Sequence, residues 1–235
     1  MDVRAEGGEL NLIFDADDTL WESNVHFLEA EAEFIAELER EAARHRQEIQ
    51  ATLRRHELEI ITTHGYGRGA YVVALHRVAH ELTPDERRPR MRARTEAIGA
   101  RLIERYCAPL PAVPETLEEL AQRHRLILFT KGNPSEQLRK LERSGLRRYF
   151  SRVGVPREKD PAAYRLLVAQ AELDPARTFM IGNSPRSDIN PALRAGLGAV
   201  FIPYPHTWEL EHEPLDQTHE RFIELNGFHE LRRVF

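Results

Sequence analysis

The chain has a single cysteine in 235 residues, and it nowhere carries the unbroken run of about 20 apolar residues that a membrane-spanning helix needs. Cys107 alone cannot close an internal disulfide, so no covalent staple is available to the fold. Met1 to Glu9 is polar and acidic, with no signal-like apolar segment. The protein is therefore read as cytoplasmic, with no membrane partner. Positive charge is also in short supply: 33 Lys and Arg face 38 Asp and Glu, a formal charge of -5. Nucleic acid, whose polyanionic backbone calls for a basic surface, is not an expected partner. Small ligands are, with the chain a monomer or homodimer.

What is present is ordinary globular material, 41% hydrophobic and 30% charged, enough to bury a sizeable core. Four short apolar runs stand out: Leu10 to Phe14, Leu126 to Phe129, Thr178 to Ile181 and Ala199 to Ile202. Apolarity that is continuous over so few residues suits parallel strands covered on both faces. Phe150 to Val155 is a weaker fifth candidate. Between them Asn133-Pro134, Asp160-Pro161, Asp174-Pro175 and Asn190-Pro191 each set a capping side chain before a first-turn proline. Gly145 and Gly196 stand where helices end in a left-handed residue. The alternation predicts an α/β fold with a doubly wound parallel sheet, built from 1–20 and 111–235.

Residues 21–110 differ, being rich in Glu, Ala, Arg and Leu without a convincing strand, and are expected to form an inserted helical domain. Its clearest helices are Glu29 to His45 and Thr83 to Tyr106, the second opening on Thr83-Pro84-Asp85-Glu86 as a capping box. Arg87 to Arg105 holds seven arginines interspersed with Glu96 and Glu104, which reads as a solvated helix face, with phosphate attraction across the site as the alternative. The loop Thr63 to Gly69 mixes three glycines with His64, Tyr66 and Arg68. It is either a ligand-binding loop or a plain interhelical turn.

The strongest chemical signal follows the first apolar run: Phe14-Asp15-Ala16-Asp17-Asp18-Thr19-Leu20. Three carboxylates in four positions at the end of a buried strand repel one another, which implies a bound cation or shared protons. Three later segments each follow or border a strand: Phe129-Thr130-Lys131-Gly132-Asn133, Glu158-Lys159-Asp160-Pro161, and Gly182-Asn183-Ser184-Pro185-Arg186-Ser187-Asp188. In their order and residue types these four segments resemble the motifs of the haloacid dehalogenase superfamily, over about 1–20 and 111–205.

That resemblance implies a Rossmann-like core with a helical cap after the first motif, closing over the site. It implies that Asp15 attacks phosphorus and that Asp17 serves as general acid, then general base. Thr130, Lys131 and Gly132 would bind phosphoryl oxygens. Lys159 would neutralise phosphate charge and keep Asp15 ionised. Mg2+ would be held by Asp15, Asp17, Asp188 and Asn183, although position 183 is aspartate in the commonest phosphatase pattern and asparagine contributes no charge. Trp21, Asn24, His26 and Phe27 are candidate cap contacts, and His206 and Trp208 candidate rim residues. The activity implied is Mg2+-dependent hydrolysis of a small phosphorylated metabolite.

Three alternatives stand beside it. Carbon-halogen hydrolysis uses the same nucleophile, but dehalogenases of the superfamily lack the second carboxylate, which this chain keeps as Asp17. A phosphomutase would differ only in the acceptor. A catalytically silent phospholigand-binding member would be expected to lose Asp15, Asp17, Thr130 or Lys159, and none is lost.

Overall fold

The computed structural model describes residues 8–235; the 1–7 stretch, on which most of the expected signal-free start and the first residues of the sheet segment fall, lies outside the described residues. The chain runs β1 (Asn11–Phe14), α1 (Asn24–Ala42), α2 (Arg46–His64), α3 (Arg68–Leu82), α4 (Arg88–Glu104), α5 (Val113–Leu120), β2 (Arg125–Phe129) and α6 (Pro134–Ser144). It continues through β3 (Arg152–Gly154), α7 (Pro161–Ala171), β4 (Thr178–Gly182), α8 (Asn190–Arg194), β5 (Gly198–Phe201), β6 (Phe222–Glu224) and α9 (Leu231–Val234). Two compact units result: the chain up to Asn24 with Cys107–Phe235, and Val25–Tyr106.

The first unit is a six-stranded sheet in the order β3-β2-β1-β4-β5-β6, parallel at every pairing. Successive side chains of each strand enter opposite cores. Leu12, Phe14, Leu126, Leu128, Phe179 and Ile181 pack with Val113 and Leu117 of α5 and Leu231 of α9. Ile13, Ile127, Phe129 and Met180 pack with Tyr164 and Leu167 of α7 and Ala192 of α8. Burial on both faces is why these strands read as unbroken apolar runs. The predicted α/β class and doubly wound sheet are what the structure shows.

The local signals fared unevenly. Asn133 accepts from Glu136 N at 3.1 Å and Asp160 from Ala163 N at 2.8 Å, capping α6 and α7. Gly145 and Gly196 take φ 74° and 86°. Asn190 does not cap α8. It follows a π-turn over Pro185–Ile189, and its amide donates to Glu213 and Pro214 at 2.9 Å. The capping box at Thr83 is likewise not made: a 3-10 turn over Asp85–Arg87 intervenes, α4 starts at Arg88, and the buried Thr83 hydroxyl has no partner among the described residues. Phe150 to Val155 contracts to β3, and β6 is a strand that the pattern did not announce.

The second unit packs α1 to α4 around Phe34, Leu38, Ile49, Leu53, Leu75, Val78 and Met91. Among the described residues no helix is long and apolar enough to cross a membrane. Trp21 and Leu110, assigned from sequence to the insertion, lie in the sheet unit. The Trp21 indole is wholly buried in the sheet core, its backbone bridges Asp17 and Pro109, and Leu110 N donates to Leu20 O at 2.8 Å. The glycine loop joins α2 to α3, and Arg68 is the first residue of α3. That side chain is 2% exposed and donates to Arg105 O at 2.7 Å and Ile103 O at 3.4 Å, satisfying carbonyls at the end of α4. Arg68→Met is expected to destabilise the protein by about 1–3 kcal/mol in urea unfolding, since it leaves those carbonyls unpaired. A change under about 0.5 kcal/mol would return Arg68 to the ligand-binding reading.

Candidate active site

Because the sheet is parallel, residues just past β1, β2 and β4 gather at one edge, and β1 lies between the other two at the point where strand order reverses. Ligands of open α/β sheets bind at such a point. Asp15 leaves β1 there, with its N–H on Ile181 O at 2.9 Å.

Lys159 Nζ stands 2.6 Å from Asp15 Oδ1 and 2.5 Å from Asp188 Oδ1. The Lys159 and Asp188 side chains are each 1% exposed. Burial pushes the Asp15 carboxyl up to about 7, with Lys159 opposing and Asp188 adding to the rise. Burial also raises Asp188, again against Lys159. For Lys159 burial works against the ammonium, but the two carboxylates overcome it and hold it protonated. One ammonium between two carboxylates leaves one negative charge uncompensated. At neutral pH such a site takes up a proton or a cation.

The donors around it are hard oxygens. Thr19 Oγ1 lies 3.4 Å from Asp15 Oδ2 and 3.2 Å from Asn183 Oδ1, so a carboxylate and an amide oxygen flank one hydroxyl. Asp188 Oδ2 accepts from Ser184 N at 2.9 Å, and a Cβ on Gly182 would sit 2.2 Å from that same oxygen. Glycine at 182 is what lets the loop fold Asp188 back over β4. Among the described residues no three His, Cys, Asp or Glu side chains group as a metal site. A cation would therefore rely on the Asp15 and Asp188 carboxylates and the Asn183 oxygen, with Asp17 two residues along the same loop. That set is small but of the type Mg2+ takes, with water completing its shell.

Asp17 belongs to a second cluster. Its Oδ1 accepts from Trp21 Nε1 at 2.7 Å and Lys140 Nζ at 2.8 Å, and its Oδ2 from Gln137 Nε2 at 2.8 Å and Lys140 Nζ at 3.0 Å. Burial tends to raise its pKa, yet Lys140, Gln137 and Trp21 bring it below the ordinary carboxylate value. The Asp17 side chain is still 31% exposed, against 7% for Lys140. Gln137 Nε2 also reaches Lys131 O at 2.6 Å and Thr130 Oγ1 at 3.4 Å. Gly132, at φ 135°, makes room for it: a Cβ there would meet Gln137 Nε2 at 2.8 Å.

Two of the expected residues have partners within the protein. The Lys131 ammonium pairs with Glu211 Oε1 at 2.6 Å, and the other Glu211 oxygen takes the Ser184 hydroxyl at 2.5 Å. Lys131 thus links the loop after β2 to the loop after β4. Trp21 is a buried donor to Asp17 rather than a cap contact. Asn24 donates to His206 O at 2.7 Å, Phe27 packs edge-on against Tyr71 at 5.2 Å, and Trp208 is half-buried while His206 is exposed.

Gln137, Lys140 and Glu211 were not anticipated. A signal existed for the first two: they fall three apart on α6, on the face that also carries the core residue Leu141. A second lay in composition. The chain has thirty arginines and three lysines, Lys131, Lys140 and Lys159, and each lysine pairs with an acid at this edge.

A family profile of haloacid dehalogenase-like hydrolases matches residues 11–196, a stretch that contains both clusters except Glu211. The chain belongs to the haloacid dehalogenase-like hydrolases. Over nearly its whole length this hydrolase is similar to a haloacid dehalogenase-like family hydrolase from Xanthomonas campestris, at 30% identity and a TM-score of 0.81, covering 97% of this chain and 92% of that one. It is 33% identical over 101 residues to a phosphoserine phosphatase of Thermus thermophilus, covering 39% of this chain and 41% of that protein. It is 29% identical over 106 residues to the pyrimidine 5′-nucleotidase YjjG of Escherichia coli, covering 43% and 47%. The matched segments thus span less than half of either curated relative.

The third acid of the first motif, Asp18, does structural work. It sits at φ 63° and accepts from Ser23 N at 2.8 Å and Asn24 N at 3.1 Å, holding the chain where α1 begins. Burial raises it to about 7, against those N–H groups and with help from Asp17. A carboxyl raised in the folded state contributes stability that is present below its unfolded value near 3.8 and lost as pH rises through about 7. Asp18→Asn keeps the Oδ1 acceptor without the charge, so in chelator its stability relative to the parent should grow between pH 4.5 and pH 8. A difference that stays flat across that range in urea unfolding would mean Asp18 is ionised throughout.

Proposed function

We propose that this hydrolase is a Mg2+-dependent phosphatase that cleaves a small phosphomonoester through an aspartyl-phosphate on Asp15. The observation that carries the reading is the pairing of two unlike carboxylates two positions apart. Asp15 is buried and bound to Lys159. Asp17 is partly exposed and held as an anion. Phosphoester hydrolysis through an aspartyl-phosphate uses such a pair, one to attack and one to handle protons. The names of the two curated relatives, a phosphoserine phosphatase and a pyrimidine 5′-nucleotidase, support it.

Asp15 Oδ1 is engaged by Lys159, so Oδ2, beside the Thr19 hydroxyl, is the oxygen with a lone pair for in-line attack. Lys159 draws the charge of the incoming phosphate toward the nucleophile. Thr130, at 1% exposure on the end of β2, offers its hydroxyl to a phosphoryl oxygen. Asp17 donates a proton to the leaving oxygen, then takes one from the water that attacks the aspartyl-phosphate. As an anion it is ready for the second of these steps. For the first it must be protonated. Mg2+, when bound by Asp15, Asp188, Asn183 and Asp17, supplies the charge that relieves repulsion between carboxylate and phosphate.

Two observations favour dehalogenation: asparagine stands at 183, and among the described residues no three His, Cys, Asp or Glu side chains group as a metal site. Asp17 argues against it, because a departing halide needs no proton. With p-nitrophenyl phosphate as substrate, release should require Mg2+ and stop in excess chelator, and Asp15→Asn should fall to background. Asp17→Asn should lose about two to four powers of ten in rate. Turnover that persists in chelator, or an Asp15→Asn variant near the parent rate, would sink the proposal.

A further inference from the structure

The clamp on Asp17 exceeds what folding requires. Gln137 is 3% exposed and Lys140 is 8% exposed, both on the inner face of α6. A buried ammonium paired with a carboxylate is weak evidence for stability, since desolvation opposes the attraction. Gln137 adds to the burden: its Oε1 is buried and has no partner among the described residues. Flipping the amide is no remedy, because Nε2 already faces three acceptors, Asp17 Oδ2, Lys131 O and Thr130 Oγ1. A chain that uses arginine at thirty positions and lysine at three keeps one of those lysines here, where a compact point charge reaches both oxygens of one carboxylate.

Resting on the phosphatase reading, we infer that Gln137 and Lys140 are positioning residues for the reaction. They fix the Asp17 carboxylate in rotation and in register with Thr130, so that one oxygen is presented to the phosphoryl group bound there. The restraint is geometric: Lys140 and Gln137 transfer no proton. Trp21 anchors the same carboxylate from its own loop. Without the two α6 donors, Asp17 keeps a single directional contact and turns freely about its side-chain bonds. Small misplacement of a catalytic group costs rate rather than binding.

The test is a double-mutant cycle on the full chain with p-nitrophenyl phosphate and Mg2+. Lys140→Met, which keeps the apolar stem, should lower kcat by about 100-fold with KM within about twofold of the parent. In an Asp17→Asn background the same substitution should change kcat by less than about threefold, because the group it positions is already disabled. Equal losses in both backgrounds, a change in KM alone, or no loss would each overturn the inference. Gln137→Leu runs the same cycle if thermal melts show Lys140→Met to be unfolded. A parent enzyme that releases no p-nitrophenolate would instead remove the phosphatase reading, and the clamp's role with it. Parent activity that depends on Asp15, together with an additive cycle, would remove the clamp alone.

Discussion

At the carboxyl edge of β1 and β4 an ammonium sits between two carboxylates with almost no solvent, Lys159 at 2.6 Å from Asp15 and 2.5 Å from Asp188. Much of this edge is arranged to make that contact possible. The parallel pairing of β1 with β4 brings the two acids side by side, Gly182 leaves room for Asp188 where a Cβ would sit 2.2 Å from its Oδ2, and Lys159 stands just before Asp160, the cap of α7. The triad is short of one positive charge. A buried site in that condition invites a cation or a proton, and the oxygen donors around it suit a hard ion.

The remaining charges at this edge are balanced by the protein itself. Lys140 answers Asp17 and Lys131 answers Glu211, and with Lys159 on Asp15 and Asp188 each of the chain's three lysines is paired at this edge. The consequence is a division of labour between neighbours in sequence. Asp15 is raised by burial toward neutrality, Asp17 is lowered by its donors, and Asp18 is given over to holding the start of α1. Three adjacent carboxyls acquire three environments, which is how one loop can supply groups of different acidity.

Much of this was legible in the residues. β1, β2, β4 and β5 announced themselves because both faces of each are covered, and no polar alternation dilutes the run. β6 did not, since Phe222 and Ile223 are half-buried and Glu224 is exposed at the sheet's edge, a pattern too short and mixed to separate from loop. Asn190 and Thr83 carried good capping signals but were drawn into other arrangements, a π-turn and a 3-10 turn, whose formation depends on tertiary partners. The order of the four motifs pointed to the family to which the chain belongs. The partners of Asp17 could not be read from order at all: Gln137 is 120 residues away in sequence, and only the topology β2-β1 brings α6 over that loop.

The central claim is that Asp15 carries the phosphoryl group, and acid quench during turnover of p-nitrophenyl phosphate with Mg2+, followed by borohydride reduction and peptide mass spectrometry, tests it most directly. An aspartyl-phosphate is reduced to homoserine while free carboxylates are untouched. The account predicts homoserine at position 15 and at no other aspartate, only when ester and Mg2+ are both present. Steady turnover with position 15 left as aspartate, or with the mark on another residue, would contradict it.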